Sequence, residues 1–150
     1  RLQLTNTELY NVWKGELYIQ EHRACNIKFK SSSSCSIPVQ LPNKLKIKEV
    51  IRLSELRKAL PLQIFDQFSF TGQEVCFESV YYTLYTVTTS RTNGFEFEKL
   101  QEWMKDQELA LIKVLNDQRF LILLTSSAIQ CSKDLGVKDS LQLFALFLFP

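Results

Sequence analysis

The chain has 150 residues, of which 45% are hydrophobic and 12% aromatic, and its net charge is only +2. This length fits one domain that can bury its own core, and the composition excludes an intrinsically disordered segment. Residues 1–60 hold eleven Lys or Arg against five Asp or Glu, whereas residues 61–150 hold seven against eleven. The small net charge argues against a dedicated nucleic-acid binder, and no apolar run is long enough to cross a bilayer.

The chain begins at Arg1 rather than Met, so we expect a fragment of a longer protein. Residues 1–8 are predicted to be a linker from an upstream domain, and residues 9–150 a single globular domain. The four cysteines lie at positions 25, 35, 76 and 131. No pair has the C-x-x-C spacing of a zinc or redox site, so we expect reduced thiols in a cytosolic or nuclear protein.

An amino-terminal hairpin is predicted by clean two-residue alternation. Residues 10–20 form the expected first strand, residues 21–23 the turn, and the second strand begins near Cys25. The residues expected on the buried side are Trp13, Gly15, Leu17 and Ile19 in the first strand, and Cys25, Ile27 and Phe29 in the second. A Ser-rich loop over residues 31–36 is expected to follow.

A third strand and a short helix come next. Leu45 and Ile47 alternate with lysines, which predicts a strand. Ser54 is expected to be the N-cap of a helix that Pro61 ends. The residues of this region that are predicted to be buried are Leu56, Ala59, Leu60, Phe65, Phe68 and Phe70.

The second half of the chain predicts two strands or one bent strand, over 75–77 and 79–89, and then a helix. Asn93 and Glu96 have the spacing of a capping box, so the helix is expected to begin there and to run to about Asp106. Its predicted apolar stripe is Phe97, Leu100, Trp103 and Met104. Two strands at 109–115 and 120–125, a short helix at 128–135 and a last apolar strand at 141–149 complete the chain.

Two-residue periodicity dominates this order of elements, and helices are few. The hairpin of residues 109–115 and 120–125 is nearly all apolar, which predicts strands that are buried on both faces. The expected fold class is therefore mostly β with helices (α+β), a barrel-like sheet with short helices packed against it.

Candidate catalytic groups are few. The one histidine, His22, lies in a charged turn with no recognisable nucleophile or carboxylate partner. The four glycines are too widely separated for a phosphate-binding loop. Glu98, Glu102 and Asp106 follow the four-residue spacing of an exposed helix face. We therefore predict no enzymatic activity, no cofactor and no metal.

A partner surface is predicted from exposed tyrosines, because tyrosine anchors protein interfaces. Tyr10, Tyr18 and Tyr81 are the candidates, and Lys28 and Lys30 are the basic residues assigned to the same surface. The aromatic residues expected in the core instead are Trp13, Phe97 and Trp103.

A nucleic-acid-binding surface is an alternative. The residues that would carry it are Lys14, Lys28, Lys30, Lys44, Lys46, Lys48 and Arg52. Tyr10 and Tyr18 offer rings on which bases could stack, but no RNP-like aromatic motif accompanies them. Direct contact with nucleic acid therefore stays open as a weaker hypothesis.

Five short pieces of sequence resemble the SPOC domain, a protein-interaction module of transcriptional regulators. They are Trp13-x-Gly15-x-Leu17, Leu41-Pro42-x-x-Leu45, Ile51-Arg52-Leu53-x-x-Leu56, the Phe97–Trp103 helix, and the hairpin from Ala110-Leu111-Ile112 to Phe120-Leu121-Ile122-Leu123-Leu124. Each piece is weak alone, and their order and spacing carry the match. The resemblance implies a distorted β-barrel of about seven strands framed by helices, and a role in recruiting transcriptional or silencing factors.

A narrower resemblance, to the SPOC-like domain of a HUSH-complex subunit, implies a chromatin-associated nuclear protein. It implies repression of transcription and of transposons through histone H3 lysine-9 methylation, with M-phase phosphoprotein 8 and periphilin as partners. The leading hypothesis is a non-catalytic scaffold module of such a complex. The alternatives are a phosphoserine-peptide reader of the transcription machinery and a nucleic-acid-binding barrel.

The SPOC resemblance also implies a ligand site. The family binds phosphoserine with a basic residue after the first strand, two arginines in an Arg-x-Arg step and a tyrosine on the late hairpin. The matching positions here are Gln20, Val50, Arg52 and Phe120. A phosphate needs several charge-assisted donors at once, and Arg52 alone keeps that chemistry. We therefore predict a degenerate phosphopeptide patch and binding through apolar and shape complementarity.

Overall fold

The computed structural model describes residues 10–31, 40–65, 75–116, 118–129 and 141–149. Within them, nine strands form one sheet. The strands are β1 (Tyr10–Ile19), β2 (His22–Ser31), β3 (Lys44–Ile47), β4 (Glu49–Arg52), β5 (Val75–Phe77), β6 (Val80–Thr88), β7 (Leu109–Asn116), β8 (Arg119–Thr125) and β9 (Leu143–Phe149). The helices are α1 (Leu53–Ala59) and α2 (Gly94–Gln107), with 3-10 helical turns at Leu62–Phe65 and Arg91–Asn93.

The sheet is curled into a half-barrel. Its strand order is β3-β1-β2-β6-β9-β8-β7-β4, and β5 pairs with β6 outside this path. β3 and β4 lie at opposite ends of the order although only Lys48 separates them in the chain. This segment therefore joins the two ends of the sheet, with β3 parallel to β1 and β4 antiparallel to β7. The predicted fold class is confirmed. The sheet has nine described strands where about seven were expected, and the sequence pattern does not reveal β4.

Two apolar clusters lie on opposite faces of the sheet. The inner cluster fills the half-barrel around Phe29, Tyr85 and Phe147, whose ring centroids lie between 5.5 and 6.5 Å apart. The outer cluster includes Ile122 and Phe144, and α1 and the first 3-10 turn contribute side chains that cover it. Because alternate residues of β8 and β9 enter the two clusters, both strands are apolar along nearly their whole length.

Burial on both faces was predicted for the whole β7–β8 hairpin. It holds for β8, in which residues 121–125 are all buried. It is wrong for the far end of β7, where Val114 is 55% exposed. The outer cluster reaches Ile112 but not Val114, which therefore meets solvent, whereas Leu115 on the other face packs against the inner cluster.

The β1–β2 hairpin is buried on one face only. Leu17, Ile27 and Phe29 are at most 1% exposed, which confirms the predicted alternation. The turn is Gln20–Glu21, with φ of 50° and 73°, and not residues 21–23 as predicted. Two consecutive left-handed residues give the tight connection whose twist matches an antiparallel hairpin.

Gly15 is required by its neighbour Trp13, which packs against the inner cluster beside Phe29 at a centroid distance of 4.8 Å. A Cβ on Gly15 would lie 2.6 Å from the indole Cζ2 and also against the carbonyl oxygen of Asn43. That carbonyl accepts a hydrogen bond of 2.8 Å from the N–H of Glu16. With glycine at position 15, the indole of Trp13 and the backbone at the start of β3 can both lie against the backbone of β1.

The predicted capping box at the start of α2 is wrong. Asn93 occupies the N-cap position, but its side chain makes no capping hydrogen bond. Its Oδ1 instead accepts a hydrogen bond of 2.6 Å from the backbone N–H of Asn26 in β2. Asn93 therefore links the beginning of α2 to the sheet. Its side chain does not supply the hydrogen bond that a capping box with Glu96 requires.

α2 packs on the inner cluster through Leu100 and Met104, as predicted. Gln101 is also buried, and its Nε2 donates a hydrogen bond of 3.0 Å to the carbonyl of Leu141. Phe97 is half-buried against the same cluster. The core prediction is wrong for Trp103, which is 39% exposed because it lies toward the solvent side of the helix.

The start of α1 also differs from the prediction. The helix begins at Leu53, its N-cap residue is Arg52 and no side chain caps it, so Ser54 lies within the first turn. Leu53 and Leu56 are its buried residues, whereas Ala59 is exposed and Leu60 half-buried. Leu60 is extended, so the helix ends immediately before Pro61 as predicted.

Several predictions fall outside the described residues and stay predictions. They concern the linker at 1–8, most of the Ser-rich loop, Phe68, Phe70, most of the helix at 128–135, Cys35 and Cys131. Among the described cysteines both thiols are free, Cys25 in the core and Cys76 on the surface. Burial raises the pKa of Cys25 to about 11. Neither described helix has the length and apolar character needed to span a membrane.

Candidate functional site

The four positions of the predicted phosphopeptide patch are spread over the sheet. Gln20 is in the β1–β2 turn, Val50 packs against the inner cluster and Phe120 against the outer cluster, while Arg52 is exposed at the end of β4. The register sets Arg52 opposite the first residue of β7 and Phe120 opposite the sixth. These two positions are therefore about 16 Å apart along β7, on opposite sides of it. That spacing gives no single point where all four could meet one phosphate. Degeneracy of the patch stays a prediction.

The three tyrosines of the predicted partner surface do not lie together. Tyr10 is 52% exposed and Tyr81 40%, whereas Tyr18 is half-buried. Tyr10 and Tyr18 are eight residues apart in β1, which is about 27 Å in a strand. Tyr81 is on β6 and stacks on Phe149 at 6.1 Å. Lys28 and Lys30, both on β2, are half-buried.

An apolar groove lies over one end of the outer cluster, and three strands form its floor. Tyr82 of β6 pairs with Leu148 of β9, which in turn pairs with Phe120 of β8. Paired residues share a face of the sheet, so these side chains form one row. Tyr82 and Leu148 are 2% and 7% exposed, and Phe120 is half-buried.

The walls of the groove come from three separate connections. Leu60 and Pro61 follow α1, Glu78 belongs to the turn between β5 and β6, and Gln118 to the turn between β7 and β8. The volume enclosed is about 420 Å³, and Ala59 and Val80 complete the lining. Burial raises the pKa of Tyr82 and the Glu78 carboxylate raises it further, so this hydroxyl stays neutral through the physiological range.

This geometry suits binding of an apolar side chain. The floor is aromatic and aliphatic, and the polar groups Glu78 and Gln118 stand at the exposed rim. Such an arrangement, apolar inside and polar at the edge, is typical of the centre of a protein interface. Over the described residues, no three His, Cys, Asp or Glu side chains are grouped so as to hold a metal ion. His22, the one histidine, is exposed at the start of β2.

The sequence did not reveal the groove, because its lining comes from α1, β6, β8 and β9, which are far apart in the chain. Phe120 was named from the SPOC resemblance as the position of a lost hydroxyl. In the structure its ring is part of the floor. The available signal is that β8 and β9 are apolar along nearly their whole length. Such strands are covered on both faces of the sheet, which predicts a second apolar cluster.

Comparisons with known sequences find relatives that are much longer than this chain. Over 148 residues it is 38% identical to human Protein TASOR 2, and the matched segment is 99% of this chain and 6% of the relative. Over 141 residues it is 30% identical to human Protein TASOR, and the matched segment is 93% of this chain and 8% of the relative. The mouse Protein TASOR matches at 30% identity, with 9% of its length covered. The chain thus spans less than a tenth of these relatives.

A family model described as "Golgi associated RAB2 interactor protein-like, Rab2B-binding domain" matches residues 86–148. Among solved structures, the crystal structure of the SPOC domain of human PHD-finger protein 3 is similar, with a TM-score of 0.58 at 10% identity. That likeness covers 93% of this chain and 97% of the other. It confirms the fold implied by the SPOC resemblance. The narrower resemblance predicted from the sequence, to TASOR or a close paralogue, is confirmed by the sequence relatives.

Proposed function

Because the chain is homologous to a segment of TASOR 2 and TASOR and adopts the SPOC fold, we propose that it is a non-catalytic docking module of a HUSH-type chromatin-silencing complex. In this role it contributes to repression of transcription and transposons through histone H3 lysine-9 methylation in the nucleus. Its partners are proposed to be subunits of that complex, M-phase phosphoprotein 8 and periphilin. No reaction is assigned to the module.

The observation that carries the docking role is the apolar groove floored by Tyr82, Leu148 and Phe120. An apolar side chain from a partner would gain roughly 1.5–3 kcal/mol on full burial in such a site. The family model named for Rab2B binding covers α2 and β7 to β9, which include part of this floor. It supports protein recognition by this half of the molecule.

The phosphoserine-reader hypothesis has weaker support. Arg52 is the one cation among the four positions of the predicted patch, and Val50 and Phe120 have apolar surroundings. A phosphate would then depend on one charged donor, whereas tight phosphate recognition uses several. A Rab-type GTPase is a second candidate partner, and the match to the Rab2B-binding family model is the observation in its favour.

The proposal is tested by co-purification of the intact protein with M-phase phosphoprotein 8, periphilin and, in a separate arm, Rab2B. Phe120→Asp places a charge in the floor and should strongly reduce capture of the true partner. The matched control is Val114→Asp, because Val114 pairs with Phe120 on the neighbouring strand but is 55% exposed and does not line the groove.

Unchanged capture of M-phase phosphoprotein 8 and periphilin by Phe120→Asp would contradict the proposed site. Loss of capture after phosphatase treatment of the partners would favour the phosphoserine reader. Loss after nuclease treatment would favour the nucleic-acid alternative. Capture of Rab2B, without capture of M-phase phosphoprotein 8 or periphilin, would contradict the proposal that the module belongs to the silencing complex. Urea unfolding of both variants shows whether each remains folded.

A further inference from the structure

A group of lysines, named the lysine face, lies on the outer face of β1, β2 and β3. Its members are Lys14, Lys28, Lys44 and Lys46. The strand register brings them together: Lys14 is directly opposite Lys28, and on the other side of β1 Lys44 is opposite Glu16. The group covers about 13 Å along β1 and about 10 Å across the three strands.

The charge of this surface is not balanced within the fold. β1, β2 and β3 together contain six Lys or Arg and one acidic residue, Glu16. That carboxylate is already engaged, because Arg23 Nε lies 3.5 Å from it and the hydroxyl of Tyr18 donates a 3.0 Å hydrogen bond to it. Over the described parts of the chain, no carboxylate lies within ion-pair distance of the four lysines.

The pairing of Lys14 with Lys28 is unfavourable for folding, because like charges directly opposite each other in a sheet repel. Next to this pair is a shallow groove of about 390 Å³. Asn26, Asn43 and Ser90 also line it, so neutral polar groups lie beside the cations, and the one acidic residue of the lining is Glu16, whose carboxylate is engaged by Arg23 and Tyr18. No described helix packs over it, unlike the apolar half of the sheet.

From these observations we infer that the lysine face binds an acidic segment, rich in Asp or Glu, of a partner protein. Four extended residues span about 13 Å, which matches the length of the lysine group. Lysine acts as a compact point charge with free rotation, which suits carboxylates presented at varied angles. The amides of Asn26 and Asn43 can pair with the peptide backbone of such a segment.

Nucleic acid is a poorer fit for the same surface. Single strands are held by bases stacked on exposed aromatic rings. The aromatic side chain beside the lysines is Tyr18, which is half-buried and has Lys44 Nζ over its ring at 5.9 Å. Double-stranded DNA is read by a helix or a two-stranded ribbon that enters a groove. Here β1 and β2 are flanked by β3 and β6 in a continuous sheet, so they are not free to enter a groove as a ribbon. The lysine face also lies on strands that contribute nothing to the apolar groove, so the inference does not depend on the proposed function.

The experiment measures binding of fluorescein-labelled hexaglutamate to the intact protein at low salt, with hexaglutamine and a hexameric oligouridylate as comparison probes. The informative variant is Lys14→Glu. It should weaken hexaglutamate binding by roughly fivefold or more, yet raise the urea midpoint of unfolding, since it sets opposite charges at the paired positions 14 and 28. Loss of binding together with a gain in stability cannot come from misfolding.

The matched control is Lys105→Glu, the same charge change at an exposed position of α2. It should leave hexaglutamate binding unchanged. Equal weakening by both variants would overturn the inference, because it would reflect net charge alone. Tighter binding of oligouridylate than of hexaglutamate would overturn it in favour of nucleic acid. Absence of saturable hexaglutamate binding to the unmodified protein would also overturn it.

Discussion

The two halves of the sheet differ in how their outer faces are covered. β8 and β9 lie between the inner and outer apolar clusters, so nearly every residue is buried. In β1, β2 and β3, alternate residues enter the inner cluster, and the lysines are among the residues that point the other way, toward solvent. The cause is the position of α1 and the first 3-10 turn, which cover only the first of these halves. The two proposed binding surfaces lie where that cover ends: the apolar groove at its margin and the lysine face beyond it.

The loss of stability should be largest for aromatic core residues on the two faces of β9 and on β2. Phe144→Ala and Phe147→Ala remove rings on opposite faces of β9, each 1% exposed, and each should cost about 3–5 kcal/mol of unfolding free energy. On β2, Phe29→Ala should cost as much, whereas Lys28→Ala should change stability by less than about 0.5 kcal/mol. Urea denaturation measures all four. A small loss for Phe144→Ala would mean that the outer face of β9 is not truly covered.

A smaller loss is expected at Gly15, where β1 approaches β3. Gly15→Ala places a methyl group against the indole of Trp13 and the carbonyl of Asn43. Overpacking of this kind costs about 1–3 kcal/mol. Gly15→Ala should cost less in a Trp13→Leu background than in the unmodified protein, because the smaller side chain releases the contact. An equal cost in the two backgrounds, measured by urea unfolding, would locate the strain at the Asn43 carbonyl instead.

The contact between α2 and the sheet should contribute about 1 kcal/mol. Asn93→Ala removes the oxygen that accepts the hydrogen bond from the N–H of Asn26. Asn93→Asp retains an acceptor at the same position and is the control. Thermal unfolding should show a lower midpoint for Asn93→Ala than for Asn93→Asp. Equal midpoints would argue that this hydrogen bond makes no net contribution.

A pH-dependent effect is expected for Cys25 in the inner cluster. Burial is the main cause that raises its pKa from 9.0 to about 11, with Arg23 lowering it and Glu96 raising it. Between these values the unfolded chain loses the thiol proton while the folded chain keeps it, so stability falls as pH rises from about 9 to about 11. Below pH 9 the contribution is fully present. Cys25→Ala should flatten the pH dependence of the urea midpoint in this window, and an unchanged slope would contradict the assignment.

The fold could be predicted from the sequence wherever one physical signal dominated. Strict alternation located β1, β2 and β3, and unbroken apolar runs located β8 and β9. The prediction failed where tertiary contacts replaced a local rule. Asn93 has the local spacing of a cap but bonds to β2, and Trp103 is apolar but faces solvent on α2.

The candidate site could be predicted only in part. Phe120 was identified from the SPOC resemblance, which also gave the correct fold. The groove itself required knowledge of the register that aligns Tyr82, Leu148 and Phe120 across three strands. No local pattern carries that register, because the segments are distant in the chain. Likewise, alternation predicts which lysines face solvent, and only the strand order shows that Lys14 meets Lys28.

The central claim is that the apolar groove is the docking surface of the module. Its most direct test is hydrogen–deuterium exchange of backbone amides in the intact protein, alone and in the purified complex with M-phase phosphoprotein 8 and periphilin. Slower exchange in the complex is predicted at residues 59–60, 78–82 and 118–120, which line the groove or adjoin its lining. Slowing confined to other parts of the chain, with these three segments unchanged, would contradict the account.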